Sequence, residues 1–186
     1  MKIAQETNDV QVAGAQSTET FTIRASAKAF QILSSNLYSN PLGAVIRELS
    51  TNAYDAHVMS DKADEPFVLT LPNSLDPTFR VRDFGPGLSP TEISQVYTTF
   101  FESTKTDSND VVGCLGLGSK SPFGIADSFT INSYQNGTKT VYSAYLNDAR
   151  IPTISQFGVF DTDEEDGLEL EIGIKEEDFS TFNREV

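Results

Sequence analysis

Apolar residues between positions 42 and 56 recur at steps of three and four: Leu42, Val45, Ile46, Leu49, Ala53 and Ala56. That period puts them on one face of an α-helix. Asn40 and Pro41 suit its start, since Asn caps an N-terminus and Pro fits the first helical position. The pattern predicts a helix from there to about Val58. Phe30, Leu33 and Leu37 form a second stripe and predict a helix over 26–38. Residues 90–97 read as a third, shorter helix.

Elsewhere the pattern alternates, which predicts strands over 20–24, 67–71, 78–82, 128–134, 138–146 and 168–174. Asn136-Gly137 between two of them is a hairpin signal. A further helix starts after Lys175. Early helices followed by a sheet grown from hairpins predict an α+β fold, a two-layer sandwich with a mixed, mostly antiparallel sheet and helices on one face. The 186 residues suit one domain. Residues 1–19 are polar and read as a flexible arm or edge strand, leaving 20–186 as the domain. The last helix stops soon after it begins, so the reading expects the N-terminal part of a longer protein.

Charge narrows the function. The formal net charge is −14, with 27 acidic against 13 basic residues. Such a surface repels nucleic-acid phosphate, so no direct nucleic-acid partner is expected. A nucleotide pocket can still carry a local field of its own. Asp161, Asp163, Glu164, Glu165 and Asp166 read as a solvated loop, and Glu176, Glu177 and Asp178 as a helix start. The single cysteine, Cys114, excludes an internal disulfide, which suits a reducing cytoplasm. No apolar run approaches the ~20 residues of a membrane span.

Three motifs carry candidate chemistry. Glu48, Asn52 and Asp55 lie at i, i+4 and i+7, so one helix face presents all three polar groups. A carboxylate there could take a proton from an attacking water. An amide oxygen one turn on could hold Mg²⁺, a hard cation that prefers oxygen ligands. Asp83-Phe84-Gly85-Pro86-Gly87 follows a strand, and an Asp there could accept from an exocyclic amine such as that of adenine. Gly113-Cys114-Leu115-Gly116-Leu117-Gly118-Ser119-Lys120 is Gly-rich and can expose backbone N–H groups to phosphate. Alone, each pattern equally suits a solvated helix face, a turn or a hinge. His57 reads as an ordinary helix-end residue. Lys105 and Lys120 could each reach a γ-phosphate, with Lys120 better placed.

Taken in order, Glu-x₃-Asn-x₂-Asp-Ala, Asp-x-Gly-x-Gly and Gly-x₂-Gly-x-Gly resemble the N, G1 and G2 boxes of the GHKL superfamily, which joins gyrase, Hsp90, sensor histidine kinases and MutL. A closer likeness covers nearly the whole chain. Phe30-Gln31-Ile32-Leu33-Ser34-Ser35, Arg82-Asp83-Phe84-Gly85-Pro86-Gly87, Gly116-Leu117-Gly118-Ser119-Lys120-Ser121-Pro122-Phe123 and Gly167-Leu168-Glu169-Leu170-Glu171 resemble the N-terminal region of phage rapid-lysis RIIA proteins. The resemblance implies a Bergerat-type sandwich and an ATPase using ATP and Mg²⁺. Glu48 would be the general base and Asn52 the Mg²⁺ ligand. Asp55 would contact the nucleotide through water or orient Asn52. Asp83 would bind the adenine amine, with Gly85 and Gly87 beside the base. Gly113, Gly116 and Gly118 would wrap the phosphates, with Leu117, Ser119 and Lys120 as neighbouring contacts and 102–112 in a lid. It also implies a phage protein of the host cytoplasm, concerned with host exclusion or lysis timing. A host or phage partner, homodimerisation of the full-length protein and membrane association through other parts stay open.

One departure bears on affinity. Many GHKL proteins open the last strand with Gly-Thr, whose hydroxyl helps fix adenine, whereas this chain has Gly167-Leu168. The functions left open are a hydrolysing switch, a nucleotide-binding interaction module or host-factor inhibitor without turnover, a decoy that keeps only the fold, and a histidine-type kinase. Glu48 and Asp55 argue against the kinase, which usually lacks the first acid and carries a basic residue at the second position.

Overall fold

The computed structural model describes Lys28, Phe30, residues 39–98 and residues 118–186. The expected arm over 1–19, the strand over 20–24 and most of the helix over 26–38 lie outside the described residues.

Helix α1 spans Pro41–Met59, and the side-chain oxygen of Asn40 accepts from Gly43 N at 3.0 Å, as its capping chemistry predicts. Strands β1 (Val68–Thr70) and β2 (Thr78–Arg82) follow, then α2 (Pro90–Thr98) and a 3₁₀ helix over Gly118–Gly124. The rest is β3 (Ser128–Gln135), β4 (Thr138–Leu146), β5 (Pro152–Asp161) and β6 (Gly167–Gly173), closed by a 3₁₀ turn over Glu176–Asp178 and α3 (Phe179–Glu185). Asn136 and Gly137 have φ of 53° and 74°, the backbone that a two-residue hairpin joining β3 and β4 requires.

The described strands form one six-stranded sheet in the order β1-β2-β6-β3-β4-β5, and every pairing is antiparallel. The expected mixed sheet is therefore corrected among the described residues. The cause is β6. It inserts between β2 and β3, which run parallel to one another, and so replaces one parallel contact by two antiparallel ladders.

Alternation decides what each sheet face meets. Phe79 pairs with Ile172, and Val81, Leu170 and Ile131 form a row across β2, β6 and β3. These residues share one core with Val45, Ile46, Leu49 and Ala53 of α1, Ile93 and Tyr97 of α2 and Phe182 of α3. Each fully buried large apolar side chain there contributes about 1.5–3 kcal/mol. The intervening positions are polar. Asn132 Nδ2 donates to Glu169 Oε2 at 3.0 Å and to Glu171 Oε1 at 2.6 Å, and Arg80 Nε lies 3.6 Å from Glu171 Oε2.

Strand β5 was not expected. Pro152 opens it, and a bulge at Phe157, which the register skips between Val141↔Gly158 and Tyr142↔Gln156, breaks its alternation. Pro and irregular register are tolerated on an edge strand, and they also erase its period-two signature. Among the described residues no helix is long and apolar enough to cross a membrane.

Candidate functional site

The Asp83 turn is built at the end of β2. Asp83 N donates to Leu168 O at 2.9 Å, so pairing with β6 continues one residue past the strand. The carboxylate then closes the turn: Oδ1 accepts from Gly85 N at 2.9 Å and from Leu168 N at 3.1 Å. Asp83 is 6% exposed. Burial pushes its carboxyl above the usual range, and the Gly85 and Leu168 N–H groups, then the Arg82 charge, pull it back. Tyr97 of α2 is buried nearby, and its phenol is pushed well up, by burial first and then by the Asp83 charge.

Both glycines of this turn are required by their neighbours. A Cβ on Gly85 would lie 2.7 Å from Ala56 Cβ and 3.0 Å from Ala56 O, so the turn presses directly on α1. Gly87 has φ of +67°, and a Cβ there would run into the Tyr134 carbonyl of β3. The Asp83 motif is thus wedged between the helix of the first motif and the sheet.

Along α1, Glu48 and Asn52 are half-buried, while Asp55 is fully buried. Arg47 Nη2 pairs with Glu48 Oε1 at 3.1 Å. The third motif meets this face through Gly118. A Cβ there would lie 2.9 Å from Glu48 Oε2 and 3.4 Å from Asn52 Nδ2. A side chain at that position would displace the Glu48 carboxylate. Ser119 Oγ donates to Val96 O at 3.2 Å, and Lys120 Nζ to the same carbonyl at 2.5 Å. Lys120 is 1% exposed. A carbonyl in the last turn of a helix is a favourable place for a cation. Gly113, Gly116, Leu117, Lys105 and the segment 102–112 lie outside the described residues.

No protein-family model and no curated protein matches this chain. The site therefore stands on its own geometry.

Three residues that the motifs do not include hold the Asp83 turn. His57 is 1% exposed, accepts from Phe84 N at Nε2 (2.8 Å) and lies 3.1 Å from Glu65 O through Nδ1. Lys62 Nζ donates to Phe84 O at 3.0 Å and pairs with Glu165 at 2.9 Å, which raises the lysine pKa and lowers that of the glutamate. The Arg82 guanidinium lies between the rings of Phe84 (4.8 Å) and Tyr134 (4.2 Å) and donates to the Asp83 and Glu165 carbonyls. The signal for His57 was present. It stands four residues after Ala53 and eight after Leu49, on the buried stripe of α1. Lys62 gave no such signal, because its partners, Phe84 O and Glu165, lie far from it in the sequence.

Proposed function

We propose that this domain binds an adenine nucleotide with Mg²⁺ and hydrolyses it slowly, as a two-layer GHKL-type ATPase of Bergerat architecture. The observation that carries the reading is convergence on α1. Gly118 of the third motif packs on Glu48 and Asn52, and Gly85 of the second packs on Ala56. Motifs far apart in sequence thereby share one helix.

In this reading Asp83 holds the base amine through its second carboxylate oxygen, since Oδ1 is engaged by the Gly85 and Leu168 N–H groups. The Leu168 backbone thus buttresses the same carboxylate at the position where relatives carry Thr. The Gly118 region meets the phosphates, and Asn52 offers a metal ligand. Among the described residues no group of three or more His, Cys, Asp or Glu gathers as a metal site. Mg²⁺ keeps several waters and binds through one or two protein oxygens plus phosphate. When bound, Mg²⁺ would neutralise phosphate charge. Glu48, half-exposed beside Asn52, takes the proton as water attacks the γ-phosphorus and the bond to the β-phosphate oxygen breaks.

A second reading, a nucleotide-binding module without turnover, is favoured by the Arg47–Glu48 ion pair, which engages the proposed base. The likeness to RIIA proteins supports the further proposal of a phage protein working inside an infected bacterium. The deciding experiment is calorimetric titration with ATP·Mg²⁺, a non-hydrolysable analogue and GTP, with phosphate release followed in parallel. Heat with ATP and with the analogue supports nucleotide binding, and phosphate release separates the two readings. No heat with any nucleotide at millimolar concentration removes both.

A further inference from the structure

The chain has one histidine, and its ring joins the first motif to the second. Glu65 O can only accept, so the ring nitrogen facing it at 3.1 Å, Nδ1, carries the hydrogen. Phe84 N can only donate, so Nε2, at 2.8 Å, carries none. The two contacts define a neutral ring with its proton on Nδ1. Phe67 packs edge-on at 6.3 Å between ring centroids, and Phe84 packs tilted at 6.1 Å.

The peptide held this way is the one that directly follows Asp83. Its carbonyl, that of Asp83, accepts from Arg82, and its N–H goes to His57. The next carbonyl, that of Phe84, accepts from Lys62. The backbone that aims the Asp83 carboxylate is therefore fixed by side chains on both sides. Of these, only His57 belongs to α1, the helix that also carries Glu48 and Asn52.

We propose that His57 is the positioning residue of the base site: by donating to Glu65 and accepting from Phe84 it sets the direction of the Asp83 carboxylate, and so sets nucleotide affinity and base preference without touching the nucleotide. This rests on the reading of Asp83 as the base-recognition group. A ring that only fills space would contribute to folding and leave base preference unchanged.

The first measurement needs no nucleotide. In a ¹⁵N-labelled sample the single histidine gives one pair of imidazole nitrogens, expected with Nδ1 protonated and Nε2 bare. A proton on Nε2 and none on Nδ1 overturns the proposal. The second measurement compares variants of the same chain. His57→Phe keeps a ring and removes the acceptor, leaving the Phe84 N–H buried and unpaired. With the turn no longer held, the Asp83 carboxylate loses its fixed direction, and ATP affinity is expected to fall about tenfold. His57→Gln restores an acceptor and should recover affinity to within a few-fold of wild type. The preference for ATP over GTP should fall and recover in step, while kcat at saturating ATP stays unchanged.

Wild-type affinity and base preference in His57→Phe overturn the proposal, as does a loss of affinity with base preference intact. If His57→Phe does not fold, His57→Gln and the wild-type tautomer still decide. A GTP preference altered in His57→Gln despite a retained acceptor counts against the assignment. If wild type binds no nucleotide while its histidine shows the Nδ1–H form, the nucleotide reading has failed and the base-site role falls with it. If wild type binds ATP and His57→Phe binds equally well, only the role of His57 has failed.

Discussion

Asp83 and Glu48 are carboxylates of one candidate site in opposite environments. Asp83 is 6% exposed, and two backbone N–H groups fix its Oδ1. The Glu48 side chain is 26% exposed, and an ion pair to the flexible, exposed Arg47 holds its Oε1. The contrast fits a division between recognition and chemistry. A group that holds a ligand gains from being fixed beforehand, because ordering a side chain on binding costs free energy. A group that takes a proton from water must be reachable by water.

The strongest break between the two comes from Glu48→Ala. Turnover should fall by about 10²–10⁴-fold, the usual worth of a positioned proton acceptor. ATP affinity should stay within a few-fold, since Glu48 makes no contact with the Asp83 turn. Phosphate release at saturating ATP, beside titration calorimetry, measures both. Equal turnover in the two proteins would take Glu48 out of the mechanism.

Asp83→Asn should act the other way. Losing a charged hydrogen bond to the base lowers affinity roughly tenfold or more. The empty fold should gain stability at neutral pH, because Asn keeps the acceptor for Gly85 and Leu168 and removes a buried charge. The sign follows from the raised Asp83 pKa. A carboxyl raised in the folded state stabilises below its unfolded pKa, and that contribution is lost as pH rises through the folded value. The advantage of the Asn variant is therefore largest at neutral pH and closes as pH falls toward the ordinary carboxyl range, about 3.9. Urea melts of both proteins across that window test it; a gap that widens on acidification would contradict it.

Two glycines sharpen the same contrast at smaller scale. A methyl on Gly85 meets the Ala56 carbonyl at 3.0 Å, and backbone cannot step aside. Gly85→Ala should destabilise by about 1–3 kcal/mol, the cost of overpacking. A methyl on Gly118 meets the end of the Glu48 side chain at 2.9 Å, which can rotate away. Gly118→Ala should leave the melting temperature nearly unchanged and slow turnover by displacing the carboxylate. Thermal melts and phosphate release on the pair read both effects, and a reversed order of stability would mean that the turn is not pressed on α1.

Legibility in the sequence divides along similar lines. Helix α1 was readable because one stripe, Leu42 to Ala53, and one cap, Asn40, specify it locally. The β3–β4 hairpin was readable from Asn136-Gly137 alone. Strand β5 was not, because a bulge and Pro152 hide its period. The convergence of Gly85 and Gly118 on α1 follows from β6 entering between β2 and β3 and from core packing, neither of which leaves a local pattern. His57 shows the limit most clearly. In sequence it reads as an ordinary helix-end residue; its spacing on the buried stripe was there to be read, but its partners, Glu65 O and Phe84 N, are backbone groups, and backbone groups carry no sequence signal.

The smallest effect concerns Ser121, whose hydroxyl is buried in the 3₁₀ helix that opens at Gly118 and has no hydrogen-bond partner among the described residues, in contrast to the paired groups of the Asp83 turn. A buried donor without a partner costs about 1–3 kcal/mol of desolvation. Ser121→Ala removes that cost and leaves only a void the size of an oxygen atom, so the empty domain should gain up to about 1 kcal/mol. For a chain of this length that corresponds to a rise in melting temperature of roughly 2–4 °C. The result also bears on the comparison between the two ends of the site. If the hydroxyl is only a packing defect, the gain persists when ATP·Mg²⁺ is added, and affinity is unchanged. If the hydroxyl serves the phosphate end, the variant is more stable empty and binds ATP more weakly, so its advantage shrinks or reverses at saturating nucleotide. Melting curves of both proteins with and without ATP·Mg²⁺ separate the cases. A variant less stable than wild type when empty would show that the hydroxyl has a partner in solution.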